Sequence, residues 1–191
     1  MDYDILDLQK KLSKIMSAKR LYHSLGVQGM SLALAIRYGY DMDKANLAGL
    51  LHDCAKDLED EELIKECNKY NLPVSPVETR NGFLLHGKLG AYYAQHKYGL
   101  DDSEIISSIY WHTTGRPDMT LLEKIVFVAD YIEPNRSVKR IPELNTIRAI
   151  AFADLDKAVT EILKNTLLYL EKQGQEIDNL TVVAYDYYRN R

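Results

Sequence analysis

Two adjacent residues, His52 and Asp53, offer an imidazole and a carboxylate near the end of an apolar segment. Neighbours on a helix project about 100° apart, so such a pair can grip one metal, or a metal and its neighbour, from two sides. A buried aspartate is expensive unless it is paired or bound to a cation. Taken alone, the dipeptide reads as a surface pair beyond the last core turn. His23 lies on a stripe with Val27, Met30 and Leu34, and alone reads as a satisfied core histidine. His86 follows Phe83-Leu84-Leu85, and His112 follows Ile105, Ile109 and Trp111. Asp130 is the sharpest anomaly, an acid inside Ile125-Val126-Phe127-Val128-Ala129 and Tyr131-Ile132. A helix apolar nearly all round is buried, and its acid then needs a partner. The fifth histidine, His96, sits in YYAQHKYG and reads as a solvated residue near a helix C-terminus.

As a set, four histidines and two aspartates on apolar segments suit Fe, Mn, Zn or Co. The two cysteines, Cys54 and Cys67, are not clustered, which argues against a structural zinc site. The separations along the chain are large, so only the fold can assemble the set. Spacing alone does not make a metal site.

The elements that must position these residues are helices. Apolar residues recur at helical intervals over 3–16, 18–38, 43–54, 60–70, 84–98, 102–111 and 120–132. One long helix is expected over 143–173, with Gly174 as its stop, and a last one over 180–188 despite the strand propensity of TVVAYDYY. Residues 71–83, with two prolines and a glycine, and 133–142 read as loops. The expectation is an all-α protein of about eight or nine helices, one domain over 1–191. In the 191 residues, 46% are apolar, ample for a core. The formal charge of −4 makes duplex DNA or long RNA a poor partner, while a small phosphorylated ligand needs only a few local cations. The acidic start MDYDILD does not resemble a signal peptide, and no stretch approaches a membrane span. A cytoplasmic protein is expected.

The ordered set His23, His52-Asp53, Asp130 resembles the H…HD…D signature of the HD-domain metal-dependent phosphohydrolases. His86 and His112, between the pair and the last aspartate, resemble the subset that holds two metals. RLYHSLGV (20–27), AGLLHDCAKDL (48–58), LLHGKLGA (84–91) and WHTTGRPDMTLLEKIVFVADYIEPNR (111–136) are similar to the YqeK-like family of symmetrical diadenosine tetraphosphate hydrolases. The match spans roughly residues 15–185, and HTTG with ADYIEPNR is its most specific part.

The resemblance implies a helical HD bundle that cleaves diadenosine tetraphosphate to two ADP with a metal-activated hydroxide. It implies that His23, His52, Asp53 and Asp130 hold one metal, that Asp53 bridges to a second completed by His86 and His112, and that the metals are iron. A homodimer is compatible with it. Cations are needed for the charge on the leaving ADP. Lys56, one turn beyond His52, and Arg136, in the loop after Asp130, are the candidates, against solvated charge runs as the plain alternative. Thr113, Thr114 and Gly115 form a polar turn that offers hydroxyls and backbone N–H groups; Arg116 is a weaker addition. Asp57 is placed to orient water or to pair with Lys56, and Arg20 to pair with an acid for structure. Some of the fourteen tyrosines could stack on adenine. Three other readings use the same ligands: a nucleotidase or nucleoside polyphosphate phosphohydrolase, a di-iron oxygenase of the same fold, and a nucleotide- or metal-binding regulator without turnover.

Overall fold

Short polar side chains set where most of the helices begin. Asp4, Ser17, Asp41, Asp102, Thr120, Asp154 and Asp178 each accept a hydrogen bond from a backbone N–H of the first turn that follows, satisfying donors the helix itself leaves unpaired. They start α1 (Ile5–Leu12), α2 (Ala18–Tyr38), α3 (Met42–Leu51), α7 (Ser103–Trp111), α8 (Leu121–Ile132), α10 (Leu155–Lys172) and α11 (Asn179–Arg189). Between them lie α4 (Asp60–Lys69), α5 (Pro76–Arg80), α6 (His86–His96) and α9 (Leu144–Ala153). The computed structural model describes residues 3–191; Met1 and Asp2 of the acidic start lie outside it. Among the described residues there is no strand, and no helix is long and apolar enough to cross a membrane.

The all-α expectation holds, but the helix count is corrected from eight or nine to eleven among the described residues. The supposed loop 71–83 contains α5, whose Ser75 and Glu78 cap each other's backbone, and the start of a 3₁₀ turn at Gly82–Leu85. The supposed helix 143–173 breaks at Asp154, whose backbone is extended (φ −148°, ψ 106°). Its carboxylate accepts from Lys157 N at 3.0 Å. An aspartate competes with helix hydrogen bonding in mid-helix but stabilises a helix start, so the local preference overrides the apolar periodicity.

Helix α8 is the centre of the core. Leu122, Ile125, Val126, Val128, Ala129 and Ile132 are fully buried, against α2, α3 and α7 on one side and α9 and α10 on the other. Val27 and Leu34 of α2 and Leu47, Leu50 and Leu51 of α3 fill the space between. Burying such side chains contributes roughly 1.5–3 kcal/mol each. This packing draws together the ends of α3 and α7, the start of α6, the first turns of α2 and the last turn of α8.

Candidate metal centre

Three of the four clustered histidines stand where a helical turn ends. His52 closes α3, His112 closes α7, and His86 follows the 3₁₀ turn and opens α6. At a helix end the last carbonyls lack intrahelical donors. Each imidazole uses one: His52 Nδ1 donates to Gly49 O at 2.8 Å, His112 Nδ1 to Ile109 O at 2.7 Å, and His86 Nδ1 to Phe83 O. His23, in the interior of α2, has no free carbonyl nearby. Its Nδ1 donates to the Glu133 carboxylate at 3.1 Å. With Nδ1 carrying the proton in all four rings, every Nε2 keeps its lone pair and is free to ligate.

The four Nε2 atoms surround Asp53, which is 3% exposed. Its Oδ2 lies 3.3 Å from His52 Nε2 and 3.6 Å from His23 Nε2. Its Oδ1 lies 3.4 Å from His86 Nε2 and 3.5 Å from His112 Nε2. One carboxylate is thus divided between two pairs of imidazoles. Asp130 Oδ1 joins the first pair, 2.9 Å from His23 Nε2 and 3.9 Å from His52 Nε2. Donors bound at about 2.1 Å to one metal sit about 3.0–3.4 Å apart at octahedral or tetrahedral angles. Most of these separations fall in or near that range. The Nε2 atoms of His23 and His52 are buried without a hydrogen-bond partner, and the 2.9 Å approach of Asp130 to His23 is off hydrogen-bonding geometry. A buried polar atom with nothing to bond is what a missing cation leaves behind. The donor set fits a metal.

The charges agree with this. Burial opposes ionisation of Asp53, but the imidazoles around it, His52 first, hold its carboxyl well below the usual range. Asp130 behaves alike, with Arg136 and His23 outweighing its burial. Burial, then the Lys56 cation and His112, keep His86 neutral. His23 is the exception: Asp130 and Glu133 outweigh its burial and raise it to about 9, so without a cation its Nε2 holds a proton that a metal would have to displace.

A cavity of about 240 Å³ opens onto the cluster, walled by Asp53, His86, His112, Thr113 and Asp130 and by three cations, Arg20, Lys56 and Arg136. Lys56 Nζ sits 3.2 Å from His86 Nδ1 and 5.5 Å over the Phe83 ring, and burial lowers its pKa. Arg136 donates to Asp130 Oδ1 at 2.6 Å and to Asp130 O at 3.0 Å. Thr113 Oγ1 lies 3.1 Å from His86 Nε2 and 3.3 Å from His112 Nε2.

Other expected residues lie elsewhere. Asp57 neither lines this cavity nor pairs with Lys56. It accepts from Ser17 N at 2.6 Å, bracing the start of α2, with Arg20 Nε at 3.7 Å. Gly115 turns away: its N–H is taken by Trp111 O at 2.9 Å, its φ of +66° ends the turn, and a Cβ there would point at Phe127, Leu163 and Met119. The Thr114 hydroxyl donates to Gly115 O and faces a neighbouring cavity. Arg116 is bound to Glu123. His96 is exposed, stacked on Tyr92, far from the cluster in the fold.

Two residues escape the sequence reading. Arg20, read as structural, donates to Asp53 Oδ2 at 2.5 Å and lines the cavity. Its signal was its place one turn before His23 on the same face. Glu133, 2% exposed, orients His23 and accepts from Asn135 N at 2.6 Å. Gly26 makes room for it, since a Cβ there would strike the Glu133 carboxylate and Asn135.

The HD domain family model matches residues 20–135. The chain is 38% identical over 168 residues to a symmetrical bis(5'-nucleosyl)-tetraphosphatase of Bacillus subtilis, covering 88% of each. It is 37% identical over 186 residues to one of Staphylococcus aureus, covering 96% of this chain and 94% of that one. A crystal structure of a predicted HD superfamily hydrolase involved in NAD metabolism from Clostridium acetobutylicum superposes with a TM-score of 0.94, at 37% identity and over the full length of both chains. A chain with this match, this signature and relatives this similar along most of its length belongs to the HD domain family and, within it, to the symmetrical bis(5'-nucleosyl)-tetraphosphatases.

Proposed function

We propose that this chain hydrolyses diadenosine tetraphosphate symmetrically, to two ADP, as a metal-dependent enzyme, and that residues 1–191 are one HD domain. The observation that carries the reading is the Asp53 carboxylate divided between two imidazole pairs, with three cations at the same cavity. His23, His52, Asp130 and Asp53 Oδ2 would hold one metal; His86, His112 and Asp53 Oδ1 would hold another. Iron suits a set of imidazole and carboxylate donors without thiolate. When bound, two metals lower the pKa of water and clamp the oxygens of an in-line displacement at phosphorus.

The protein's own side chains supply the rest. Lys56 is short of partners and partly desolvated, so a phosphate oxygen entering the cavity meets a poorly screened cation. Arg136 is held by Asp130 yet 37% exposed, leaving part of its guanidinium fork for the substrate. Arg20 reaches the same cavity from α2. Thr113 places a hydroxyl between His86 and His112, within reach of an oxygen bound there. Bond breaking beside the central bridging oxygen leaves charge on the departing ADP, which these cations offset. Three cations around one cavity favour a polyphosphate over dioxygen chemistry, which requires no such ring.

The test is anaerobically purified, metal-analysed protein incubated with diadenosine tetraphosphate, products resolved by chromatography. ADP as sole product is expected, with none formed by Asp53→Ala, which also fails to retain metal. ATP plus AMP, or full activity in Asp53→Ala, would overturn the reading.

A further inference from the structure

A second cavity, about 220 Å³, adjoins the first and shares Thr113 with it. Its aromatic wall is Tyr110 and Trp111, set edge to face with ring centres 4.4 Å apart, immediately before the ligand candidate His112. Leu84 and Leu180 add apolar surface, and a buried ion pair adds charge: Lys88 to Glu78 at 2.7 Å, with Glu78 only 5% exposed. Two of the segments that line it, Ser75 to Glu78 and Asp178 to Leu180, are linked by contacts beside the cavity. Arg80 of α5 bonds Glu176 at 2.5 and 3.0 Å, and Asn81 bonds it at 3.0 Å, joining α5 to the loop before α11. No residue special to this cavity has a part in the metal cluster.

We infer that this cavity is a nucleoside subsite: it takes the purine ring of one ADP half against Tyr110 and Trp111, while the diphosphate passes Thr113 to the metal cluster. The inference rests on the polyphosphate-hydrolase reading above. Three features carry it. The volume is below the roughly 300–1,000 Å³ of pockets that enclose a whole ligand, so it suits one ring system. Flat aromatic faces stack on bases of any kind, which suits a group that must be held without chemistry. The shared wall puts a stacked base and a cluster-bound phosphate on one continuous path, as a single ADP half requires.

Trp111 is the only tryptophan in the sequence, so tryptophan emission arises at this wall, and the pyrophosphate arm separates the cavity from the neighbouring metal cluster. Metal-loaded protein is titrated with ADP and, separately, with inorganic pyrophosphate, each also tested as an inhibitor of diadenosine tetraphosphate hydrolysis. The expected result is a saturable emission change with ADP and none with pyrophosphate, although both inhibit. Leu180→Tyr, which fills the cavity, should weaken ADP about tenfold, the scale of one lost stacking contact, and leave pyrophosphate inhibition unchanged. An equal emission change with pyrophosphate would place the signal at the metal cluster and overturn the inference. So would inhibition by ADP without any emission change, which leaves the proposed hydrolysis standing. Emission change with ADP in a protein that does not cleave the substrate would support the subsite and remove the hydrolase reading. If Leu180→Tyr fails to fold by circular dichroism, the unmodified protein still decides.

Discussion

Replacing Glu133 by glutamine removes one negative charge at nearly constant shape and, if the proposed two-metal site holds, should weaken one of its two metals. Glu133 has two jobs. One oxygen accepts from Asn135 N at 2.6 Å and the other faces His23 Nδ1 at 3.1 Å. Glutamine has one oxygen, and the shorter backbone contact claims it. The amide N–H₂ then faces His23 Nδ1, which must give up its proton to accept. The proton moves to Nε2, the atom that has to be bare to ligate. Partners of this kind are worth about 10- to 100-fold in metal affinity, or about 1.4–2.8 kcal/mol. The loss should fall on the half made by His23, His52 and Asp130, since His86 and His112 are oriented by their own backbone. Competition with a chromophoric chelator should therefore change two tight sites into one tight and one weakened site. Two unchanged affinities would refute the tautomer argument. Equal weakening of both, with a lower Tm, would show that Glu133 acts by holding the fold.

Lys56→Ala should lower kcat/KM about 10- to 100-fold, the scale of a lost charge-assisted contact, with metal content unchanged; unchanged kinetics would remove its role. Arg136→Ala should lower kcat/KM and also loosen metal, because Arg136 holds Asp130, so elemental analysis separates the two variants. Asp154→Ala removes the cap that starts α10 and should cost about 1 kcal/mol, read as a lower Tm with activity kept. A Tm at or above that of the parent would mean the break between α9 and α10 is imposed by packing alone. Cys54 and Cys67 are buried, with burial pushing their thiols up to about 12 and about 11, so a thiol reagent should find neither until the chain unfolds.

The cluster of candidate ligands was legible because chemistry stood out against its background. Asp130 in an apolar helix and His52-Asp53 after Leu50-Leu51 have no local means of satisfaction, and the fold supplies a common one. The helices were legible for a related reason: a stripe of Val27, Met30 and Leu34 has one economical conformation. The boundaries at α5 and Asp154 were not, because hydrophobic period is a property of a dozen residues and a cap is a property of one. Arg20 and Glu133 were missed on different grounds. Arg20 had a local signal, one turn before His23, but was read as structural; Glu133 acts through a partner 110 residues away, and no spacing rule reaches that far. Gly115 and Asp57 were overread because proximity in sequence to a ligand says nothing of which way a turn faces.

The way the imidazoles are aimed has a consequence for how the centre assembles. His52, His86 and His112 are each aligned by a carbonyl three residues back, so their orientation exists as soon as their own turns form. His23 alone borrows its alignment from Glu133, beyond α8, and has none until that segment docks. Assembly of the centre is then sequential: three arms are preset by secondary structure and the fourth is conditional on tertiary closure. The half containing His23 is the part of the centre that senses whether the bundle is shut, and local opening at 133–136 would release it while leaving its neighbour in place.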